Sequence, residues 1–198
     1  MHTFPKRVQA IIDGFDALPG VGPKHATRLA LYLLDHKDLA KQFASDVESA
    51  LAAVAFCKEC QTVTETELCD ICSDTRRDHA TICVVAHVQD IEPIERTDKF
   101  NGVFHVLHGV VNPVEGITPD DIRTKELLAR VKKNGVTEII FALDATAEGE
   151  ATVMYLTKTL RDSRLTLSKL ARGIPFGSNI EYTDEATLSS ALDHREKI

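Results

Sequence analysis

The amino-acid sequence predicts an α+β multi-module chain: an N-terminal helical hairpin, a four-cysteine module, an α/β domain with a parallel sheet, and a C-terminal helix. Three observations carry this reading. A glycine–proline turn, Leu18-Pro19-Gly20-Val21-Gly22-Pro23-Lys24, sits between two stretches of helical apolar spacing. Four of the five cysteines fall in two C-x-x-C pairs between Cys57 and Cys72. Beyond residue 79, short β-branched runs alternate with helical patterns, which is the order of βαβ units.

The first region spans residues 1–56. Residues 5–13 place Val8, Ile11 and Ile12 on one helical face. Gly20 and Gly22 permit backbone geometry closed to other residues. Pro23 fits the first turn of the next helix, where its missing N–H costs nothing. Ala26, Leu29, Ala30, Leu33 and Leu34 give that helix an apolar face, and small Ala26 allows close packing. The pattern L-P-G-V-G-P-K-x-A is that of a helix-hairpin-helix element. Its physics suits phosphate, with free N–H groups and a positive dipole end at the helix start, and Lys24 and Arg28 one turn apart. The candidate DNA-binding residues are therefore Lys24, Arg28, Gly20 and Gly22; the alternative is a plain helical hairpin that needs a tight turn. One hairpin holds a polyanion weakly, because each neutralised phosphate adds a modest electrostatic contribution, and oligomerisation would multiply it. Residues 38–56 predict a third helix, with Leu39, Phe43, Val47, Leu51 and Val54 near helical spacing.

Residues 57–72 read C-K-E-C-Q-T-V-T-E-T-E-L-C-D-I-C. Each C-x-x-C pair can set two thiolates on one side of a turn. Together Cys57, Cys60, Cys69 and Cys72 match the tetrahedral all-sulfur set of structural Zn2+. The alternatives are disulfides or unrelated thiols. Disulfides are disfavoured because the N-terminus M-H-T-F-P-K-R has no apolar signal core. A site closed by four sulfurs folds a loop and does not activate water.

Composition bounds the rest. The chain has 198 residues, 43% hydrophobic, with a formal net charge of −7. Residues 1–56 carry six Lys or Arg and six Asp or Glu, and the other 17 basic and 24 acidic residues follow. A polyanion is thus expected to meet the N-terminal region or a local patch. No run approaches a membrane span, so a cytoplasmic protein with no membrane partner is expected. A G-x-x-x-x-G-K-[ST] loop is absent, which removes support for ATP hydrolysis by the usual route.

From residue 79 to 175 the pattern is α/β. Residues 81–88, 102–107 and 137–143 read as buried parallel strands, and 164–170 as a fourth. Helices are expected at 89–98, at 122–133 with Asp121 as cap, and from the segment 144–150 to about Arg161. Cys83 belongs to the first strand as a core residue; His105 and His108 read as core or surface rather than ligands. Residues 109–121 form a Pro/Gly loop of the kind that carries function. In the final segment, 176–198, residues 179–183 read as a short strand. Asp184 caps a last helix with Leu188, Ala191 and Leu192 inside.

The order of these modules resembles the RecR family of bacterial recombination mediators over essentially the whole chain. The carrying segments are L-P-G-V-G-P-K, the C-x-x-C pairs with R-R-D behind them, F-H-V-L-H-G, E-I-I-F-A-L-D-A-T-A-E-G-E-A-T and L-A-R-G-I-P-F-G-S-N-I-E-Y-T-D-E-A-T-L. The resemblance implies a Toprim-type α/β domain over 79–175 and a homodimer or homotetramer of ring or clamp shape. It implies binding to single- and double-stranded DNA, nucleoid association, and action with RecO and RecF in loading RecA onto single-stranded DNA. Lys24 and Arg28 match the family's DNA-contacting hairpin positions. Glu148 matches the acidic position that meets RecO, which makes Asp144, Glu148 and Glu150 candidates for partner docking. Two positions depart from the pattern: Ala86 stands where Toprim enzymes carry a Glu, and Asp144-Ala145 stands for Asn-Pro. Toprim enzymes need that Glu and a D-x-D pair to hold Mg2+; this chain reads D-x-T. A non-enzymatic DNA-binding clamp with no catalytic residue is therefore expected. The alternatives are a Mg2+-dependent Toprim nuclease or phosphotransferase, and a zinc-module regulator that binds protein only. For the three acids, a solvated helix start and a weak divalent site are the competing readings.

Overall fold

The computed structural model describes residues 4–133, 135–161 and 165–195. By its internal contacts the chain divides into two compact units, Met1–Val54 and Ala55–Ile198.

The first unit is three helices: α1 (Lys6–Asp16), α2 (Pro23–Asp35) and α3 (Lys37–Ala53). Ala26 and Ala30 of α2 are wholly buried against Ile12 of α1, with Phe4, Val8, Phe15 and Val21 around them. Two alanines one turn apart let the helix axes approach closely, as their spacing predicts. α1 runs past residue 13 because Phe15 joins this small core. Ile11 and Leu34 do not join it and stand 37% and 38% exposed. Helix α3 has the expected apolar spacing but no buried residue. Leu39, Phe43, Val47 and Leu51 are 42–79% exposed. An apolar groove of about 260 Å³ runs between Phe15, Leu29, Tyr32, Leu33, Leu39 and Phe43.

The second unit opens with a two-stranded antiparallel ribbon, β1 (Ala55–Phe56) and β2 (Val63–Thr64), and a single helical turn, α4 (Asp70–Ser73). The α/β part follows as β3 (Asp78–Val85), α5 (Ile91–Glu95), β4 (Gly102–Val106), α6 (Thr124–Lys133), β5 (Glu138–Ala142), α7 (Ala147–Leu160) and β6 (Thr166–Lys169), then α8 (Glu185–Asp193). The sheet is parallel throughout, in the order β4-β3-β5-β6. Ile82 to Val85 and all of β4 are buried, which explains their unbroken apolar runs. On one face Ile82, Val84, Val103, Ile139 and Phe141 pack under Leu127 of α6 and Leu156 and Leu160 of α7. On the other, Cys83, Val85, Phe104 and Val106 pack under Ile91 of α5. The chain leaves β3 toward β4 on one side, while β5 leads to β6 on the other. The carboxyl ends of β3 and β5 therefore form a switch point, where open α/β sheets place their ligand sites.

Three local expectations are corrected, and a fourth falls partly outside the described residues. Residues 179–183 form no strand; Ile180–Tyr182 are a 3₁₀ turn with Ile180 and Tyr182 well exposed, so no sheet edge holds them extended. Asp121 does not cap α6. Its carboxylate accepts from the backbone N–H and hydroxyl of Thr118, closing the preceding turn, and α6 begins at Thr124. In α8 the Asp184 cap is present, accepting from Thr187 N at 2.9 Å, but Leu192 is 65% exposed. The expected fourth strand includes residue 164, which lies outside the described residues; the observed strand is Thr166–Lys169.

Candidate metal centre and nucleic-acid interface

The sulfurs of Cys57, Cys60, Cys69 and Cys72 lie within 4.8 Å of one another, and all four residues are buried. A tetrahedral zinc with Zn–S near 2.3 Å sets its sulfurs about 3.8 Å apart, so the donor set fits. Backbone turns place them. Cys57 N donates to Thr62 O at 2.8 Å and Gln61 N to Cys57 O at 3.0 Å, which folds the first C-x-x-C around Gln61 at φ +65°. Ser73 N donates to Cys69 O at 2.9 Å and closes the second. Cys69 N donates to Cys57 Sγ at 3.4 Å, tying the two knuckles together. The crowded sulfurs compete for protons. Hydrogen bonds from Cys60, then Cys72, hold the Cys69 thiolate down to about 2. Cys60 is pushed far up, first by its bond to Cys69. Cys72 is pulled down by Cys60, but its bond to Cys69, burial and the charge on Cys69 outweigh that and hold it at about 12. A bound dication lets all four be thiolates together, with release of protons. Cys83 stands apart in the sheet, its thiol pushed up to about 12 by burial, and is inert core as its sequence context predicts.

The four-cysteine module is stitched to edge strand β4. Cys60 O accepts from Val106 N at 2.8 Å, and His108 Nε2 lies 2.6 Å from Gln61 O. The Phe56 ring meets His108 edge-on at 4.7 Å, with the Arg123 guanidinium 5.6 Å from its centroid. His105 is fully buried in β4 with Nε2 2.9 Å from Arg123 O, and burial pulls it down to about 4, so it is neutral at physiological pH.

In the first unit, Gly20 adopts φ +79°, the conformation that favours glycine there. Gly22 does not; it caps α2 at φ −91° and ψ 168°, ordinary extended backbone. No side chain caps α2 and its first turn holds no acid, so its positive end faces outward unscreened. Lys24 and Arg28 are exposed on the same helix one turn apart. The structure thus places Gly20 and Gly22 in the turn that precedes α2, Lys24 on its first turn and Arg28 one turn further. His25 is exposed beside them, a residue that sequence reading did not single out.

The sheet's switch point gathers the acidic segment. Ala86, 4% exposed, follows β3 where a Toprim enzyme needs an acid. Asp144 follows β5 and is exposed. Thr146 caps α7 by accepting from Gly149 N at 3.1 Å. A Cβ on Gly149 would stand 2.1 Å from Asp144 O, so only glycine lets α7 start this close to the strand end. Thr152, buried on α7, accepts from Val111 N at 2.8 Å and ties down the 109–121 loop. Glu148 is half-buried on the first turn. Glu150 is paired with Arg172, and with Lys169 Nζ at 3.5 Å. Desolvation raises its pKa, but Arg172 and then Lys169 outweigh that, and Glu150 is held as the carboxylate. Sequence reading noted the L-A-R-G segment but not that Lys169 and Arg172 return to Glu150, a contact that crosses from β6 to α7. No helix of the described residues is long and apolar enough to cross a membrane.

Four family models match the chain. The helix-hairpin-helix model of RecR matches residues 8–51, and the four-cysteine zinc finger domain of RecR matches residues 54–74. The Toprim domain matches residues 80–171, and the C-terminal model of RecR matches residues 173–196. They follow one another from residue 8 to residue 196 with gaps of a few residues. The four cysteines are therefore a structural zinc centre, the α/β part is a Toprim domain, and the chain belongs to the RecR family of recombinational DNA repair factors.

Proposed function

We propose that the protein is a non-enzymatic DNA-binding clamp that acts with RecO and RecF to load RecA onto single-stranded DNA. Its contact with single- and double-stranded DNA is the α2 hairpin. The carrying observation is the uncapped, acid-free start of α2 with Lys24 and Arg28 exposed one turn apart beyond the Gly20–Gly22 turn. Such a surface neutralises phosphates and positions the protein without reading sequence. A homodimer or homotetramer multiplies this weak contact. The exposed apolar face of α3 supports self-association, because Leu39, Phe43, Val47 and Leu51 stay 42–79% exposed. Asp144, Glu148 and Glu150 form the acidic partner-docking patch, which RecO would meet. The protein works in the cytoplasm at the nucleoid.

The competing reading is a Mg2+-dependent Toprim nuclease or phosphotransferase. Two observations weigh against it. Ala86 offers no ligand at the end of β3, and Glu150 is already engaged by Arg172 and Lys169. The deciding experiment is DNA binding across a salt series, with and without Mg2+, scored for cleavage in the same tubes. Intact DNA and salt-sensitive binding are expected. For duplex DNA, Lys24→Ala with Arg28→Ala should flatten the log–log salt slope by up to about 1.8 per engaged chain. An unchanged slope removes the hairpin from the interface, and Mg2+-dependent nicking restores the enzyme.

A further inference from the structure

Arg130 is an unusual residue to find in a core. It lies on α6 and is only 6% exposed. An isolated buried guanidinium is costly, so the chain must give it acceptors. Its three partners come from three different parts of the fold. Nη1 donates to Phe104 O on β4 at 2.6 Å. Nε lies 3.4 Å from Glu59 Oε2, inside the first C-x-x-C. Nη2 donates to Cys72 Sγ, inside the second, at 3.9 Å. One planar fork thus touches both knuckles of the zinc centre and the edge strand of the Toprim sheet. Two further bonds join the same region, Val106 N to Cys60 O and His108 Nε2 to Gln61 O, but neither touches a zinc-ligand sulfur.

The charges explain why a cation belongs there. Zn2+ with four thiolates carries a formal charge of −2, and these sulfurs are buried, out of reach of full hydration. A guanidinium N–H directed at one sulfur offsets part of that charge in a medium where it is weakly screened. Glu59 pairs with Nε at 3.4 Å and competes with the sulfur for the charge of the guanidinium. Groups that hydrogen-bond to metal ligands commonly set how tightly the metal is held.

We infer that Arg130 is the outer-shell cation of the zinc centre and the charged strut that fixes the Cys57–Cys72 module onto the Toprim sheet. Zinc affinity and the order of β4 are then linked through one side chain. Lysine cannot replace it, because a single ammonium does not span Phe104 O, Glu59 and Cys72 Sγ at once.

The test uses the full chain loaded with zinc and a colorimetric chelator as competitor. Arg130→Met keeps the length and apolar stem and removes the charge. Arg130→Lys keeps the charge and removes the fork. Glu59→Gln keeps both. Arg130→Met should give up zinc at ten-fold or more lower chelator concentration. It should also show faster amide exchange over Phe104–Val106 while zinc is still bound. Arg130→Lys should fall between Arg130→Met and the parent. Glu59→Gln, which leaves the cation with less competition for its charge, should hold zinc at least as tightly as the parent. Parent-like zinc retention in a folded Arg130→Met variant overturns the inference. If Arg130→Met does not fold, the other two variants decide: equal zinc loss in Arg130→Lys and Glu59→Gln reduces Arg130 to a packing element, whereas loss in Arg130→Lys alone sustains the proposal.

Discussion

Two places in the second unit gather side chains from which proteins build metal sites, and the fold treats them differently. At Cys57–Cys72 four sulfurs converge within 4.8 Å, buried, with no competing cation from the described residues bonded to Cys57, Cys60 or Cys69. At the end of β5, Asp144, Glu148 and Glu150 lie on one short segment, but one is exposed, one half-buried, and Glu150 is engaged by Arg172 and Lys169. The sulfurs of the first set converge and would repel one another as four thiolates, so a dication relieves it. In the second, the donor of β3 is replaced by Ala86 and part of the remaining charge is already met by the chain's own cations. Residue type alone does not make a metal site; the donors must also converge and remain available.

The largest effect should come from the first site. Cys57→Ser, or stripping zinc with a strong chelator, removes a binding energy that for structural zinc is on the order of 10 kcal/mol and is coupled to folding. Calorimetric unfolding and zinc content should drop together, and because the module is bonded to β4 the loss should reach the sheet. A chain that keeps its full cooperative transition without zinc would show that the module is an ornament on an independent domain.

A smaller effect tests how the acidic segment is built. Gly149→Ala forces a methyl group to within 2.1 Å of Asp144 O. The start of α7 must shift, at a cost of about 1–3 kcal/mol in denaturant unfolding, in the range of overpacked cores. A neutral outcome would mean that the strand end and helix yield easily, and that Asp144 and Glu148 are not held in a fixed relation.

The smallest effect sharpens the contrast itself. Calorimetric titration of the parent with Mg2+ should show no saturable site at or below the order of 1 mM. Ala86→Glu combined with Arg172→Ala restores a donor and frees Glu150, and should introduce weak saturable heat. If the parent already binds Mg2+ tightly, Glu150 is not neutralised as its pairing with Arg172 and Lys169 indicates.

Some of this was legible along the chain and some was not. The zinc ligands, the Gly20 turn and the buried strands were legible because their determinants are local: ligand spacing, a left-handed residue, an unbroken apolar run. The stop of α8's apolar face at Leu192, the 3₁₀ turn at Ile180–Tyr182 and the diversion of Asp121 to Thr118 were not. Each depends on what does or does not pack against the segment, which periodicity cannot report. The same holds for α3, whose apolar stripe was read correctly and stays largely exposed.

By itself, then, the sequence determined the order of modules, the four sulfurs, the absence of an acid at Ala86 and the exposed basic pair on α2. These follow from residue identity and short-range geometry. Only the tertiary structure decided which charges would meet. Arg172 and Lys169 return to Glu150 across β6 and α7, and Arg130 reaches Cys72 across 58 positions. A buried or half-buried charge must find a partner because burial removes its water, and that partner is chosen by the sheet's topology, not by distance along the chain.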